Sequence, residues 1–292
     1  MLFYWPVRFS VPLAILLTCV ASSPLWCQEN RIQDALNSEF AGKVLLLRNF
    51  YSGKDLQYDQ DGVVIGGAKQ GPWTLANVEI KKIAVTAHGI DIVGNRVGTW
   101  YRNGEPKFVR VGDLRIHVSK PISDADTQAT IYPILSKMFV GTGEDLRSMV
   151  PDYWQAYVTG NDAKSRLAAW GAEVERDGNP ISKKSDAPVG SVSAPRAISS
   201  PDPGYTKEAA SKHIEGLSSL WLVIDTAGKA TNVAVLEPLG MGLDEEAVFA
   251  VKQWKFQPAT KNGQPVRVQI NVQVNFRCCR LSTEPIPVRA PQ

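Results

Sequence analysis

The sequence predicts an α+β protein in two parts. The first is a β-rich N-terminal domain (a meander, a small sandwich or a partly open barrel) followed by helices. The second is an αββαβ unit whose three strands form an antiparallel sheet. Three observations predict this. Between Gly42 and Pro121, short apolar runs are punctuated by Asp61-Gly62, His88-Gly89, Asn103-Gly104 and Gly112-Asp113. Beyond Ser123, apolar residues recur at helical spacing. Near the C-terminus, VRVQINVQVNFR places Val266, Val268, Ile270, Val272, Val274 and Phe276 on even positions and Arg267, Gln269, Asn271, Gln273, Asn275 and Arg277 on odd ones. Strand side chains point alternately to the two faces, so this stretch is one ribbon, apolar on one side and polar on the other.

Residues 1–27, MLFYWPVRFSVPLAILLTCVASSPLWC, carry one early charge at Arg8, an apolar core from Val11 to Ala21, and small residues before a polar exit. That is the order of a secretory signal peptide, with cleavage after Ala21 or after Cys27. A membrane-spanning helix needs ~20 apolar residues; this core is shorter and holds Pro12. Export with cleavage is the expectation, with retention as an uncleaved anchor as the alternative. Outside this segment only Cys278 and Cys279 remain. Adjacent Cα atoms lie ~3.8 Å apart, too close for a relaxed disulfide, so they read as two thiols.

In residues 31–122 the runs KVLLLR (43–48), VEIKKIAV (78–85), GIDIV (89–93), TWYR (99–102), KFVRV (107–111) and LRIHV (114–118) read as strands joined by tight turns. Residues 123–177 read as helices packed on that sheet: DADTQATIYPILSKMF, EDLRSMVPDYWQAYV and NDAKSRLAAWGAEVE, two of them interrupted by Pro133 and Pro151. The Pro/Ser/Gly-rich stretch 178–203 reads as a linker, and 282–292 as a flexible tail. In the second unit, 204–281, YTKEAASKHIEG gives a short helix and LWLVIDTAGKATNVAVLE two strands about an Asp225–Lys229 turn. Asp244 is expected to cap the next helix, which Pro258 stops. Its Leu243, Ala247, Val251 and Trp254 mark a core side, expected beneath the final ribbon.

A net charge of +3 and the lack of any Lys/Arg run argue against nucleic acid. His88, His117 and His213 are scattered, without metal-ligand spacing to Cys, Asp or Glu. No P-loop, G-x-S-x-G or G-x-G-x-x-G occurs. DQDG at 59–62 reads as a hairpin turn, since a calcium loop would need Glu where Ala68 stands. The expectation is a protein with no catalytic residues, no metal and no cofactor.

Residues 203–277 resemble the C-terminal domain of TonB-family energy transducers. The resemblance rests on Tyr205 and Ala209 leading a helix, Gly216 before the first strand, and the hairpin LVIDTAGKATNVAVLE with Asp225 and Gly228 at its turn. It continues through LDEEAVFAVKQWKFQPA with its W-x-F-x-P-A exit, NGQPV and the alternating strand. The resemblance implies a periplasmic domain that pairs its last strand with a short segment of an outer-membrane receptor by β-augmentation. It assigns partner binding to the ribbon bearing Arg267, Gln269, Asn271, Gln273 and Asn275. It also admits a homodimer and, for an anchored chain, inner-membrane motor proteins as partners. Because the leader reads as cleavable, the expected function is an exported protein-interaction module that binds partner peptides by strand addition. A TonB-type transducer is the alternative, and an enzyme or ligand-binding protein acting through the N-terminal domain the second alternative.

In LWLVI both parities are apolar: Leu220, Leu222 and Ile224 on one face, Trp221 and Val223 on the other. The hairpin partner repeats this with Val233 and Val235 against Ala234 and Leu236. With helices on one face, Trp221 and Val223 form a second apolar patch, expected to pack on the N-terminal domain or on another copy, or to be covered by a helix of the same domain.

Overall fold

The computed structural model describes residues 25–123, 126–141, 143–159 and 192–278, with side chains from Asn30 onward. Most of the leader, the third helix read at 161–175, Cys279 and the tail lie outside the described residues. The first element is one the sequence reading missed: helix α1, Leu25–Phe40. Ile32, Leu36 and Phe40 fall four residues apart and are buried. The helix lies against the strand Asn77–Thr86. The amide of Asn37 donates to the Ile83 carbonyl (2.6 Å) and accepts from its N–H (2.8 Å), while Gln33 accepts from Val85 N–H. The side chains of α1 thus satisfy backbone groups that a further strand would otherwise have to pair.

Six strands form the N-terminal sheet: β1 (Val44–Leu46), β2 (Asp55–Asp59), β3 (Val64–Ile65), β4 (Asn77–Thr86), β5 (Gly89–Arg102) and β6 (Glu105–Ser119), in the order β1-β4-β5-β6-β2-β3. β4-β5-β6 is an antiparallel meander, and β2 joins β6 in parallel. Of the three shapes expected, the meander is present, in one open sheet rather than a sandwich or barrel. Gly112-Asp113 is not a turn: KFVRV and LRIHV are one strand, with Arg96 opposite Gly112 and Val97 opposite Arg110. The extra residue, Val111, makes a β-bulge, which is why a turn-like dipeptide sits mid-strand. Likewise GIDIV and TWYR are both part of β5. Asp59 Oδ1 accepts the N–H groups of Asp61 and Val63, closing the DQDG turn. Helix α2, Gln128–Met138, buries Ile131, Leu135 and Met138 and contains Pro133.

The remaining elements run α3 (Asp152–Thr159), β7 (Arg196–Ser199), α4 (Lys207–Ser211), β8 (Gly216–Ile224), β9 (Ala230–Glu237), α5 (Leu243–Gln253), β10 (Lys255–Gln257), β11 (Ala259–Lys261), β12 (Gln264–Val266) and β13 (Val268–Phe276). β7 lies inside the stretch read as linker and pairs with β10, so that stretch is in part a strand. The C-terminal sheet has the order β13-β8-β9, all antiparallel. At the β8–β9 turn, Asp225 Oδ1 accepts the N–H groups of Ala227 and Lys229. Asn262 and Gly263, both at positive φ, turn β11 into β12. Two details differ from expectation. Gly242, in the left-handed region, is the N-cap of α5 and Asp244 lies one position inside the helix, fully buried. The helix ends at Gln253, five residues before Pro258, and WKF departs as extended chain.

The two faces of the C-terminal sheet are covered from different sources. α5 lies over β9 and β8, and its Leu243, Ala247 and Val251 meet a face made by Leu220, Leu222, Ile224, Val233 and Val235. It is therefore centred on β8 and β9, and at the far end of β13 it is Tyr205 that packs edge-on against Phe276 (ring centroids 5.7 Å). The opposite face, Trp221, Val223, Ala234 and Leu236, packs with Ala156 of α3. α3 was expected on the N-terminal sheet; it is instead wedged between the two units. Trp154 makes an edge contact with Trp73 (5.2 Å), and Tyr157 with Tyr101 (5.6 Å).

Candidate partner-binding edge

β13 is the margin of its sheet. β8 is its one hydrogen-bonded neighbour among the described residues, over nine facing pairs from Val268–Ile224 to Phe276–Gly216. Its opposite edge carries backbone N–H and C=O groups that no strand among the described residues takes up, which is the template that strand addition requires. The sequence alternation explains the strand's two sides. Val268, Val274 and Phe276 are buried, while Ile270 and Val272 between them are only half-buried. The apolar row is therefore sealed at its ends and open along its middle, at the rim of the sheet.

On the other side Gln269, Asn271, Gln273 and Asn275 are exposed, and their amides make no hydrogen bonds among the described residues. They face the same way as Val223, Trp221, Ser219 and Leu217 opposite them. Arg267 is not on the ribbon: it stands at the corner between the end of β12 and the start of β13. The chain leaves β13 toward α4, where Cys278 N–H donates to Glu215 Oε1 (2.7 Å) and its Sγ lies 3.9 Å from the Ala210 carbonyl. Trp221 and Val223 are wholly enclosed, 1% and 0% exposed, and are not part of the open surface.

Behind the edge, buried acids hold the start of α5. Asp244 accepts from Ser218 Oγ (2.6 Å), Leu239 N–H (2.9 Å) and Gly240 N–H (2.7 Å). Burial pushes its carboxyl up to about 6 in spite of these bonds. Glu245 accepts from Trp154 Nε1 (2.9 Å), and its other oxygen is enclosed without a partner. Burial first, then the neighbouring Asp244 charge, push it up to about 8. The 239–241 loop then joins the N-terminal unit. Tyr101 N–H donates to Leu239 O (2.9 Å), Met241 N–H to Thr99 O (2.8 Å), and Gly242 N–H to Thr74 Oγ1 (3.0 Å). The approach is close enough that a Cβ at Gly98 would run into Met241 Sδ, and one at Gly240 into the Thr99 carbonyl. None of these seam contacts was foreseen from the sequence.

An open-edged, helix-backed αββαβ sheet defines the C-terminal domain. The comparisons make the domain particular: residues 201–278 match the family described as Gram-negative bacterial TonB protein C-terminal. Similar curated relatives are Protein TonB of Vibrio cholerae serotype O1, 33% identical over 26% of this chain and 31% of that protein, and Protein TonB of Xanthomonas campestris pv. campestris, 35% identical over 25% and 34%. The chain thus spans about a third of the relatives' length. A solved structure titled "Solution NMR structure of Pseudomonas aeruginosa TonB CTD" aligns with 35% of this chain and 92% of its own, at 22% identity and a TM-score of 0.25. Residues 201–278 are a TonB-family C-terminal domain. No helix among the described residues is long and apolar enough to cross a membrane.

Proposed function

We propose that this protein works in the periplasm as a TonB-type partner of outer-membrane transport, receiving an extended segment of a receptor along the free edge of β13. The observation that carries the reading is the marginal position of β13 within the residues that match the TonB family. An incoming strand would complete the backbone ladder and present alternate side chains to the two faces. Those meeting Ile270 and Val272 would be apolar and would finish burying that half-open row. Those on the other side would be polar, beside Gln269, Asn271, Gln273 and Asn275. These four amides tune which sequence fits; the backbone supplies the grip.

The test is capture of an outer-membrane receptor's N-terminal periplasmic peptide by the full chain, measured by fluorescence anisotropy, with Asn271→Pro as the variant. The proline removes one N–H and fits poorly against a paired neighbour. Loss of capture by at least tenfold, with an unchanged far-UV circular dichroism spectrum, supports edge pairing. A variant that captures normally refutes it. Coupling to an inner-membrane motor is a further part of the reading. N-terminal sequencing of the protein from native membranes tests it, since a chain that starts at Met1 is anchored and one that starts after the leader is not.

A further inference from the structure

The seam between the two units holds a second feature with a ligand's chemistry. An open cavity of about 570 Å³ lies where the N-terminal sheet meets α4, walled by Phe50, Leu75 and Val111 on one side and by Tyr205 on the other. This is the size of a small-molecule site. Arg96 lines it and is 8% exposed. On β5 it shares the parity of Ile90 and Ile92, so it occupies a core-side position where an apolar residue would serve stability better. Its Nη2 donates to the Gly53 carbonyl (2.7 Å), and its Nη1 is buried with no partner.

No carboxylate among the described residues forms an ion pair with Arg96. Withdrawal from water lowers its pKa to about 10, against smaller opposing effects of Tyr58 and Glu208. A buried guanidinium with one carbonyl partner is costly to keep unless an anion completes it. The rest of the lining narrows the choice of anion. Lys54 and Lys207 stand there with Glu208, Glu246 and Asp113, the last ion-paired with Arg110 (2.7 Å). A phosphate dianion would face the carboxylates of Glu208 and Glu246, whereas a molecule with one carboxylate and one ammonium answers both signs.

We propose that the seam cavity binds a small zwitterion, an amino acid or dipeptide, with its carboxylate on Arg96 and its ammonium toward Glu208 and Glu246. The fork of the guanidinium recognises the planar carboxylate, and the acidic rim selects the amine over simple acids. A ligand held between the two units would fix the C-terminal domain on its support.

Isothermal titration calorimetry on the full chain tests this with the twenty common amino acids and Ala-Ala, beside acetate, methylamine and inorganic phosphate. At least one zwitterion is expected to bind ten times more tightly than acetate or methylamine. Arg96→Lys keeps the charge but not the fork, and is expected to weaken binding at least tenfold. Glu208→Gln, at the rim, is expected to weaken it several-fold without moving the unfolding midpoint, and decides the matter if the arginine variant folds poorly. Silence across the panel, phosphate outbinding every zwitterion, or unchanged affinity in both variants overturns the proposal.

Discussion

The two faces of the C-terminal sheet are equally apolar in sequence and are held in different ways. The inner face is covered by α5, which follows β9 within a few residues and belongs to the same domain. The outer face is covered by α3, more than fifty residues upstream of β8, and is sealed around Trp221 and Val223 by Ala156. The inner contact is local and would form early in any folding of this domain; the outer one depends on the N-terminal unit being in place. The C-terminal domain is thus a module with one face of its own and one supplied by its neighbour.

Three measurements break or sharpen that contrast. The largest effect is expected from Trp154→Ala, which removes a fully buried ring in edge contact with Trp73 and hydrogen-bonded to Glu245. A loss of about 3–5 kcal/mol is expected in urea unfolding, with a red shift in tryptophan emission as the outer face opens. A loss below about 1 kcal/mol would mean that α3 does not hold the outer face, since buried-ring truncations cost several times that. Val251→Ala, on the inner face, removes two methyl groups from a fully buried side chain, for about 2 kcal/mol. It should destabilise without exposing Trp221, and a matching red shift would make the two faces one cooperative contact.

The smallest effect is a pH dependence. Glu245 is held above the usual carboxylate range when folded, so the folded state binds more protons than the unfolded chain between about pH 4.5 and 8. Its contribution is therefore full below the unfolded pKa and is lost as pH rises toward 8. Asp244 acts in the same direction over a lower window, ending near pH 6. The unfolding midpoint should fall from pH 5 to pH 8, and Glu245→Gln should flatten the upper half of that decline while keeping an acceptor for Trp154. An unchanged slope in the variant would remove Glu245 from the seam's pH response.

Much of the C-terminal domain was legible because its signals are local: Gly216, the Asp225 turn, Asn262-Gly263 and the strict alternation of β13. The position of β13 in the sheet was not legible from its residues, because alternation is the same for an edge strand and an inner one with a wet face. Asp244 was legible as a helix-start residue but not as a buried acceptor for a loop, which depends on where Leu239 and Gly240 arrive. α1 carried a readable signal in Ile32, Leu36 and Phe40, masked by its nearness to the leader. Gly112-Asp113 has turn chemistry, and only the partner strand shows that it relieves a bulge. Arg96 carried none, since a single arginine in an apolar run says nothing of the cavity it lines.

The nine-pair antiparallel register of β13 on β8 also has a mechanical meaning. If a guest strand adds to the outer rim as proposed, a pull along the strand axis would load the rungs between it and β13 together, in shear. A pull across that axis would peel them one after another. With β8 held between helices on both faces, strand docking as proposed would resist a lengthwise pull more than a crosswise one.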